Sequence, residues 1–413
     1  MPEDPEPSHS PFATPRYKYY FAGRILASMG LTATAMIAAL EVYDISRLTM
    51  SVREAALQLG LFGLTQFVPV VAMTPISGVA VDIYNRGLIV RLSILAELIC
   101  VLALAITAWL DATTVFLLFV YIFIFGVAKT FLFPAMNAIV PSLVPREAFP
   151  NAIAVNAVAA RAGGILGPVI GGFTYAISSV LSYGLSAGLL IAALVSMIML
   201  GSIRPTERGT PRAPLGMIAD GFRYLLSNRL LYGVVSLDLF AVLLGGSTAL
   251  LPVFARDVLH VGAAELGYLR AAPGVGALAM AIWLSLRPPG TNMGRNMLLG
   301  VVVFGLATIG FGLSKALPVS LFLLMILGMA DIVSKVVRQS IVQLNTEDQM
   351  RGRMGAISTL TVSTSNELGD AASGFLAAFV GPVAAVVAGG AGSITIAAIW
   401  ARAFPELYRK PPR

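Results

Sequence analysis

The sequence predicts an all-α integral membrane protein with twelve transmembrane helices, arranged as two pseudo-symmetric bundles of six. Three observations support this fold class: the composition, the spacing of the apolar segments, and a similarity between the two halves of the chain. Of 413 residues, 57% are hydrophobic and only 12% are charged, against roughly 25% charged in a soluble domain. Lipid offers no hydrogen-bond partners, so helices, which pair their own backbone groups, are the expected way to cross it.

Twelve apolar segments are long enough to cross the roughly 30 Å hydrocarbon layer of a bilayer as helices. They lie near residues 19–44, 56–81, 88–110, 115–140, 152–176, 180–202, 230–253, 263–286, 297–314, 318–341, 354–378 and 381–402. The longest loop, 203–229, follows the sixth segment and is basic. Its amphipathic pattern around Phe222, Tyr224, Leu225 and Leu226 predicts a helix that lies at the membrane interface.

This central loop divides the chain into domains. The N-terminal residues are acidic and rich in proline, unlike a secretory signal, which begins with basic residues followed by an apolar run. We therefore expect a disordered cytosolic tail over 1–17, a first six-helix bundle over 18–203, a cytosolic linker over 204–229, a second six-helix bundle over 230–403 and a cytosolic tail over 404–413.

The two halves of the chain match each other at similar offsets. Lys129 ends the sequence GVAK and Asp331 ends the sequence GMAD, at an offset of 202 residues, 331 minus 129. The run 167-GPVIGG-172 lies opposite 370-DAASGF-375, at an offset of 203 residues, 370 minus 167. Parallel repeats of this kind are a known plan of membrane transporters, in which substrate binds between the halves near the middle of the bilayer.

Lys and Arg residues are distributed unevenly among the loops. If both termini are cytosolic, the outer loops contain only Arg47, Arg53, Arg256 and Lys315, and the other basic loop residues lie on the cytosolic side. Cytosolic loops of membrane proteins carry an excess of basic residues. We therefore place both termini in the cytosol.

The sequence argues against metal-dependent, enzymatic and nucleic-acid functions. His9 and His260 are the only histidines and lack neighbours at metal-ligand spacing, and the single cysteine, Cys100, lies in an apolar segment. We found no nucleotide-binding or hydrolase motif, and membrane topology accounts for the basic residues. We expect no metal and no cofactor. The expected partners are the lipid bilayer and a small-molecule substrate, bound by a monomer.

Carboxyl groups inside the predicted helices are candidates for proton coupling: Asp238, Asp331, Glu367 and Asp370. A charge at the bilayer centre costs about 2.5–3.5 kcal/mol and therefore needs a partner, water or a function. Asp238 has no basic residue within one helical turn, and such a lone carboxyl can exchange a proton near neutral pH. Glu367 and Asp370 are spaced i, i+3, and either share a proton or bind basic groups of neighbouring helices.

The segment 327-LGMADIVSKVVRQ-339 carries Asp331, Lys335 and Arg338 on one face of a helix. Asp331 and Lys335 are one turn apart, so a local ion pair is one interpretation. Alternatively, Asp331 exchanges partners with its pseudo-symmetric counterpart Lys129 as the halves move. The sequence leaves both interpretations open.

Basic and polar side chains in the predicted helices are candidates for a cavity that binds substrate. The sixth, ninth and twelfth segments carry no charge deep in the membrane and are expected to face lipid. Glu97 lies deep in the third segment, without an assigned role, and Asp44 is expected to be solvated at the outer end of the first. The cavity candidates are Arg24, Lys129, Arg161, Arg270, Lys335, Arg338 and Asn366.

The run 163-GGILGPVIGG-172 in the fifth segment combines small residues, which allow close helix packing, with a proline, which bends a helix. It matches the antiporter motif of the major facilitator superfamily. The matching residues are Gly163, Gly167, Pro168, Gly171 and Gly172.

The loop 78-GVAVDIYNRG-87 resembles the cytosolic gate motif of the same superfamily through Gly78, Asp82 and Arg86, and departs from it at three other positions. The resemblance implies that the aspartate and arginine latch the cytosolic ends of helices together in the outward-open state. Physically, Asp82 ends a helix at the inner surface, where it could accept hydrogen bonds from a helix N-terminus.

Further runs, 141–156, 221–231, 252–278 and 339–358, are similar to the branch of the superfamily that contains the enterobactin exporter and macrolide-efflux permeases. The resemblance therefore covers nearly the whole chain. It implies secondary active export of a siderophore-like molecule or amphipathic drug across the bacterial inner membrane, by proton antiport with alternating access. Multidrug resistance would be one consequence of such export.

Two other functions remain open. The first is a facilitator or importer of an anionic solute bound by Arg24, Lys129 and Arg161, which make the deep charge of the first half positive. The second is a membrane sensor that does not transport. The sensor is least favoured, because the tails and the central loop are too short to supply a soluble signalling domain.

Overall fold

The computed structural model describes residues 10–203, 214–287, 292–347 and 350–407, and no β-strand occurs among them. The helices are α1 (Pro15–Arg47), α2 (Val52–Ile83), α3 (Arg86–Trp109), α4 (Val115–Ile139), α5 (Phe149–Ile177), α6 (Ser179–Leu200), α7 (Pro214–Ser227), α8 (Arg229–Gly245), α9 (Leu251–Val253), α10 (Ala263–Leu286), α11 (Met293–Leu313), α12 (Leu317–Leu344), α13 (Arg351–Val380) and α14 (Pro382–Ala403).

Within the described part of the chain, 11 helical segments are long and apolar enough to cross a membrane. Eleven of the predicted segments correspond to them, and the remaining one, near 354–378, lies within the 30-residue helix α13. The predicted fold class is therefore confirmed. The segment that begins with α8 extends beyond its predicted end, because the chain continues through α9 and a π-helical turn, Phe254–Val258, to give a span over Arg229–Val258.

Side-chain caps and glycines set several helix boundaries. The side chains of Asn85, Thr114 and Asn228 accept hydrogen bonds from backbone N–H groups in the first turns of α3, α4 and α8. Such caps satisfy donors that have no partner within the helix. Gly201 and Gly381 follow α6 and α13 with φ of 83° and 93°, a backbone conformation that glycine adopts at no steric cost.

The chain forms two compact units. The first unit comprises Met1–Ala38 and Val68–Pro211, and the second comprises Ala39–Phe67 and Arg212–Arg413. The later part of α1 and the earlier part of α2 therefore belong to the second unit, whereas our expected bundles divide the chain at the central loop.

In the first unit, α3 packs against α4 and α6, and α5 packs against α6. In the second unit, α12 packs against α10 and α11, and α14 packs against α8 and α11. The contact between α10 and α12 is very close, since a Cβ atom added to Gly328 would lie 1.9 Å from the carbonyl oxygen of Pro273. This close contact at Gly328 holds α12 directly against α10.

The prediction of a helix in the central loop is confirmed by α7. Its residue Leu225 is buried in an apolar cluster with Leu231 and Val235 of α8 and with Met354 and Ile357 of α13. This cluster attaches α7 to the helices of the second unit.

Candidate functional site

The second unit contains a cluster of four charges, which we call the acid–base cluster: Asp238 on α8 and Asp331, Lys335 and Arg338 on α12. Asp238 and Arg338 are buried, whereas Asp331 and Lys335 are partly exposed. The α12 residues share a helix face because they are spaced i, i+4 and i+7. Lys335 Nζ lies 2.6 Å from Asp331 Oδ2, and Arg338 Nη1 donates a hydrogen bond to Asp238 Oδ2. The structure therefore forms the local pair of the two interpretations left open for Asp331.

The expectation that Asp238 is a lone carboxyl is wrong. Its partner Arg338 comes from a helix 100 residues further along the chain. The charges of Lys335 and Asp331 also act on Asp238. Two acids and two bases thus form one group without net charge. A proton bound by any member changes the net charge of the group and therefore affects the protonation of the other members.

A small cavity adjoins the acid–base cluster and is lined by Asp238, Asp331, Ser334 and Gly300, among other residues. The Ser334 hydroxyl is buried without a hydrogen-bond partner, and so is Arg338 Nε. Buried polar atoms are seldom left without a partner. Of these two atoms, the Ser334 hydroxyl lines the cavity and can therefore bind a water molecule there.

The carboxyls of α13 have separate hydrogen-bond donors. Glu367 Oε1 accepts a hydrogen bond from Gln66 Nε2 at 2.9 Å, and Asp370 Oδ1 accepts one from Thr248 Oγ1 at 3.1 Å. Arg270 Nη1 donates to the carbonyl oxygen of the same Thr248 at 2.9 Å. A single threonine thus links two of the predicted site residues, Asp370 and Arg270.

Arg24 is the most deeply buried basic residue of the predicted set in the first unit, with 5% of its surface exposed. Its Nη1 lies 3.0 Å from the sulfur of Met136, its guanidinium lies 5.1 Å from the ring centre of Phe133, and its Nε has no hydrogen-bond partner. No carboxylate forms an ion pair with it among the described residues. A buried guanidinium without a counter-charge is costly, unless an anion joins it.

The other predicted polar residues differ in their exposure and surroundings. Lys129 Nζ lies 5.8 Å from the ring centre of Phe125 on its own helix. Arg161 is exposed on α5, and Asn366 is exposed on α13. The described residues contain no group of three or more His, Cys, Asp or Glu side chains placed to hold a metal ion.

The antiporter motif of α5 packs directly on α1. A Cβ atom on Gly167 would lie 2.1 Å from Thr32 Oγ1, and one on Gly163 would lie 2.3 Å from Ser28 Cβ. Thr32 Oγ1 also donates a hydrogen bond to the carbonyl oxygen of Gly163 at 3.0 Å. Pro168, Gly171 and Gly172 of the motif are buried as well. The motif's small residues thus permit backbone contact between two helices, as expected.

The loop motif places its arginine and its aspartate in different surroundings. Arg86 donates to the carbonyl oxygen of Ala138 at the end of α4 and to that of Val81, at 2.9 and 3.3 Å. Asp82 is exposed and has no hydrogen bond or ion pair with the described residues of its own unit. The expected hydrogen bonds to Asp82 from a helix N-terminus are therefore absent there. A Cβ atom added to Gly78 would have no contact within 4 Å.

Sequence reasoning missed an ion-pair cluster at the end of α1. Arg256 Nε and Nη2 donate to the two oxygens of Asp44 at 3.0 and 2.5 Å, and Arg47 Nη2 lies 3.2 Å from Asp257 Oδ1. Tyr43 donates a further hydrogen bond to Asp257. Asp44 is therefore not a solvated rim residue. An acid precedes a base at Asp44 and Arg47, whereas a base precedes an acid at Arg256 and Asp257. This complementary order in the sequence indicates that the two segments can form ion pairs.

Comparisons with known proteins agree with this architecture. The chain is 28% identical over 399 residues to the enterobactin exporter EntS of Escherichia coli O1:K1, covering 96% of this chain and 93% of the relative. It is 27% identical over 404 residues to the enterobactin exporter EntS of Citrobacter koseri, covering 96% and 94%.

Solved structures share the fold. A bacterial homolog of the human lysosomal transporter Spinster superposes with a TM-score of 0.72 at 16% identity, covering 96% of this chain and 99% of that one. A D-xylose-proton symporter superposes with a TM-score of 0.69 at 13% identity, covering 96% and 98%. Since the Major Facilitator Superfamily model matches residues 20–369, the chain belongs to that superfamily of membrane transporters.

Proposed function

We propose that this chain exports a small organic molecule, siderophore-like or an amphipathic drug, across the bacterial inner membrane by proton antiport, with both termini in the cytosol. The observation that carries the proposal is the acid–base cluster of the second unit. Its four charges balance one another, Asp238 and Arg338 are buried, and the cluster adjoins a small cavity. The similarity to enterobactin exporters supports the direction of transport and the class of substrate.

A proton is able to change the state of this cluster because each carboxylate balances one cation. If Asp238 takes up a proton, Arg338 is left as a buried charge without its counter-charge. Breaking a buried ion pair in this way costs about 3–5 kcal/mol. About 5.5 kcal/mol is enough to move a two-state equilibrium from 1:99 to 99:1. Protonation of one carboxyl therefore destabilises a conformation that keeps the pair, relative to one that separates it, by an amount that approaches this scale.

The same argument applies to Asp331 and Lys335, which lie 2.6 Å apart. A proton on Asp331 would release Lys335 to find another acceptor, which provides a second, coupled step. We assign Asp238 and Asp331 as the primary proton carriers. Glu367 and Asp370, each with its own neutral donor, are the secondary candidates.

Everted membrane vesicles test the proposal. The lumen is acidified by respiration, and acridine orange reports the pH gradient. Addition of enterobactin, erythromycin or ethidium to vesicles that contain the wild-type chain should release protons from the lumen and restore the dye fluorescence. Asp238→Asn should abolish this recovery, because an amide cannot carry the proton.

The matched control is Asp220→Asn, which removes a half-exposed carboxyl of the same unit and should leave the recovery unchanged. Absence of recovery with all three compounds would count against antiport of these substrate classes. Equal recovery in wild type and Asp238→Asn would remove Asp238 from the mechanism.

Arg24 supports a second candidate function, transport of an anionic solute without proton coupling. Its guanidinium is buried among Phe133, Met136 and Tyr20 and has no carboxylate partner in the described chain. An aromatic anion would satisfy both the charge and the apolar walls.

Proteoliposomes without a pH gradient test this candidate with benzenesulfonate, which stays charged at every relevant pH. Wild-type protein should equilibrate this anion across the membrane, and Arg24→Gln should not. Lys18→Gln, which removes an exposed cation of the same helix, is the control and should leave the flux unchanged. Flux that is equal in wild type and Arg24→Gln would exclude this function for Arg24.

A further inference from the structure

The first unit contains a buried carboxyl that the proposed transport mechanism does not use. Glu97 on α3 has no exposed surface. Neither of its carboxylate oxygens has a hydrogen-bond partner among the described residues. A buried carboxylate without hydrogen bonds is rare, because burial of a charge is tolerated only where other groups compensate it.

The groups around Glu97 are few. From α4, the ammonium group of Lys129 and the phenol of Tyr121 interact electrostatically with it. On α3 itself, the thiol of Cys100 lies one turn away and interacts with it too. The other helix packed on α3 is α6, whose one titratable residue is the buried Tyr183. Lys129 is therefore the only cation among these neighbours.

We propose that Glu97 is a proton-binding site of the first unit, which exchanges a proton beside the ammonium group of Lys129. As a carboxylate it balances Lys129. As a carboxylic acid it removes one negative charge from the surroundings of that ammonium group. The proton moves between water and a Glu97 oxygen, and no other bond is made or broken. The use of this proton in transport rests on the proposed function, whereas its binding does not.

Cys100 allows the binding to be measured directly, because it is the single cysteine of the chain. Cyanylation of its thiol in the purified full chain introduces a nitrile, whose infrared frequency responds to the local electric field. Wild-type protein should show one sigmoidal shift of this frequency with pH. Glu97→Gln should abolish the shift, and Glu97→Asp, which keeps a carboxyl, should retain it.

Two further variants sharpen the test. Lys129→Gln should keep the shift and move its midpoint to higher pH, because the carboxylate loses its compensating cation. Glu54→Gln, which removes an exposed carboxyl, should titrate like wild type. A flat response in wild type, or the same titration in wild type and Glu97→Gln, would overturn the proposal.

The outcome is separable from that of the transport proposal. A Glu97-dependent titration together with absent proton release in the vesicle assay would retain the proton site and reject antiport. Proton release with a flat nitrile response would retain antiport and reject the site.

Discussion

The guanidinium of Arg338 on α12 donates a hydrogen bond to the carboxylate of Asp238 on α8, and the two side chains are only 5% and 3% exposed. Both residues lie among the apolar side chains of the second unit, since their neighbours Leu237 and Val337 are fully buried. Each charge is therefore tolerated because the other is present.

Removal of one partner should destabilise the protein strongly. We expect Arg338→Leu and Asp238→Leu each to lower the free energy of unfolding by about 3–5 kcal/mol, because each leaves an unpaired buried charge. The double variant should cost much less than the sum of the single variants. Unfolding by sodium dodecyl sulfate in mixed micelles measures all three.

The control for this prediction is Arg223→Leu. Arg223 is 84% exposed and lies 3.9 Å from Asp220, so its loss should change the free energy of unfolding by less than about 1 kcal/mol. Additive costs of the two buried substitutions would contradict the pairing that we describe.

The α5 motif makes a prediction about helix packing. Gly167→Ala would place a methyl group 2.1 Å from Thr32 Oγ1 and 2.6 Å from the carbonyl oxygen of Met29. We expect it to push α5 away from α1 and to lower the free energy of unfolding by about 1–3 kcal/mol. The same micelle titration measures the effect.

Gly164→Ala is its matched control on the same helix. No atom lies within 4 Å of a Cβ atom at this position, so the substitution should be neutral or stabilise α5 by up to about 1 kcal/mol through helix propensity. Equal effects at positions 164 and 167 would mean that contact with α1 does not explain the motif.

The ion pair between Asp44 and Arg256 should tolerate exchange of its charges. Arg256→Asp places two carboxylates together and should lower the free energy of unfolding by about 1.5–3 kcal/mol, the contribution of hydrogen bonds to charged groups. Adding Asp44→Arg should recover at least half of this loss. Unfolding in micelles at low salt is the measurement.

Arg53→Asp controls for the change of net charge, because Arg53 is exposed and forms no ion pair among the described residues. It should have little effect. A doubly exchanged protein that is less stable than Arg256→Asp would show that these two residues do not stabilise each other.

Local spacing was sufficient to predict part of the candidate site. The pair Asp331–Lys335 is a contact across one helical turn, which the i, i+4 spacing implies without knowledge of the fold. The antiporter glycines were likewise predictable as a packing surface, because small residues at four-residue spacing permit close contact whatever the partner.

Contacts between distant segments could not be predicted in the same way. Periodicity identifies the polar and apolar faces of α8 and α12 but does not specify which faces contact each other. The sequence therefore predicts a lone carboxyl at Asp238, whose partner Arg338 lies 100 residues further along the chain. The partner of Asp44 lies 212 residues further on, in a π-helical turn that the sequence did not indicate. Long-range pairing depends on packing, which composition and spacing do not specify.

The partner of Asp331 is open to a direct test by double-mutant cycles. Since Lys335 Nζ lies 2.6 Å from Asp331 Oδ2 and both side chains are mostly buried, Asp331→Asn and Lys335→Gln should interact by at least about 0.5 kcal/mol in unfolding measurements. Lys315→Gln, at an exposed lysine, should show no interaction with Asp331→Asn.

A second cycle asks whether Asp331 changes partner during transport. If it does, Asp331→Asn and Lys129→Gln should interact in the rate of proton release from everted vesicles, although they need not interact in unfolding. If Asp331 stays with Lys335 throughout, the two substitutions should act independently on that rate. A stability cycle that couples Asp331 to Lys129 and leaves Lys335 uncoupled would contradict the local pair, because an ion pair at this distance must appear as a pairwise free energy.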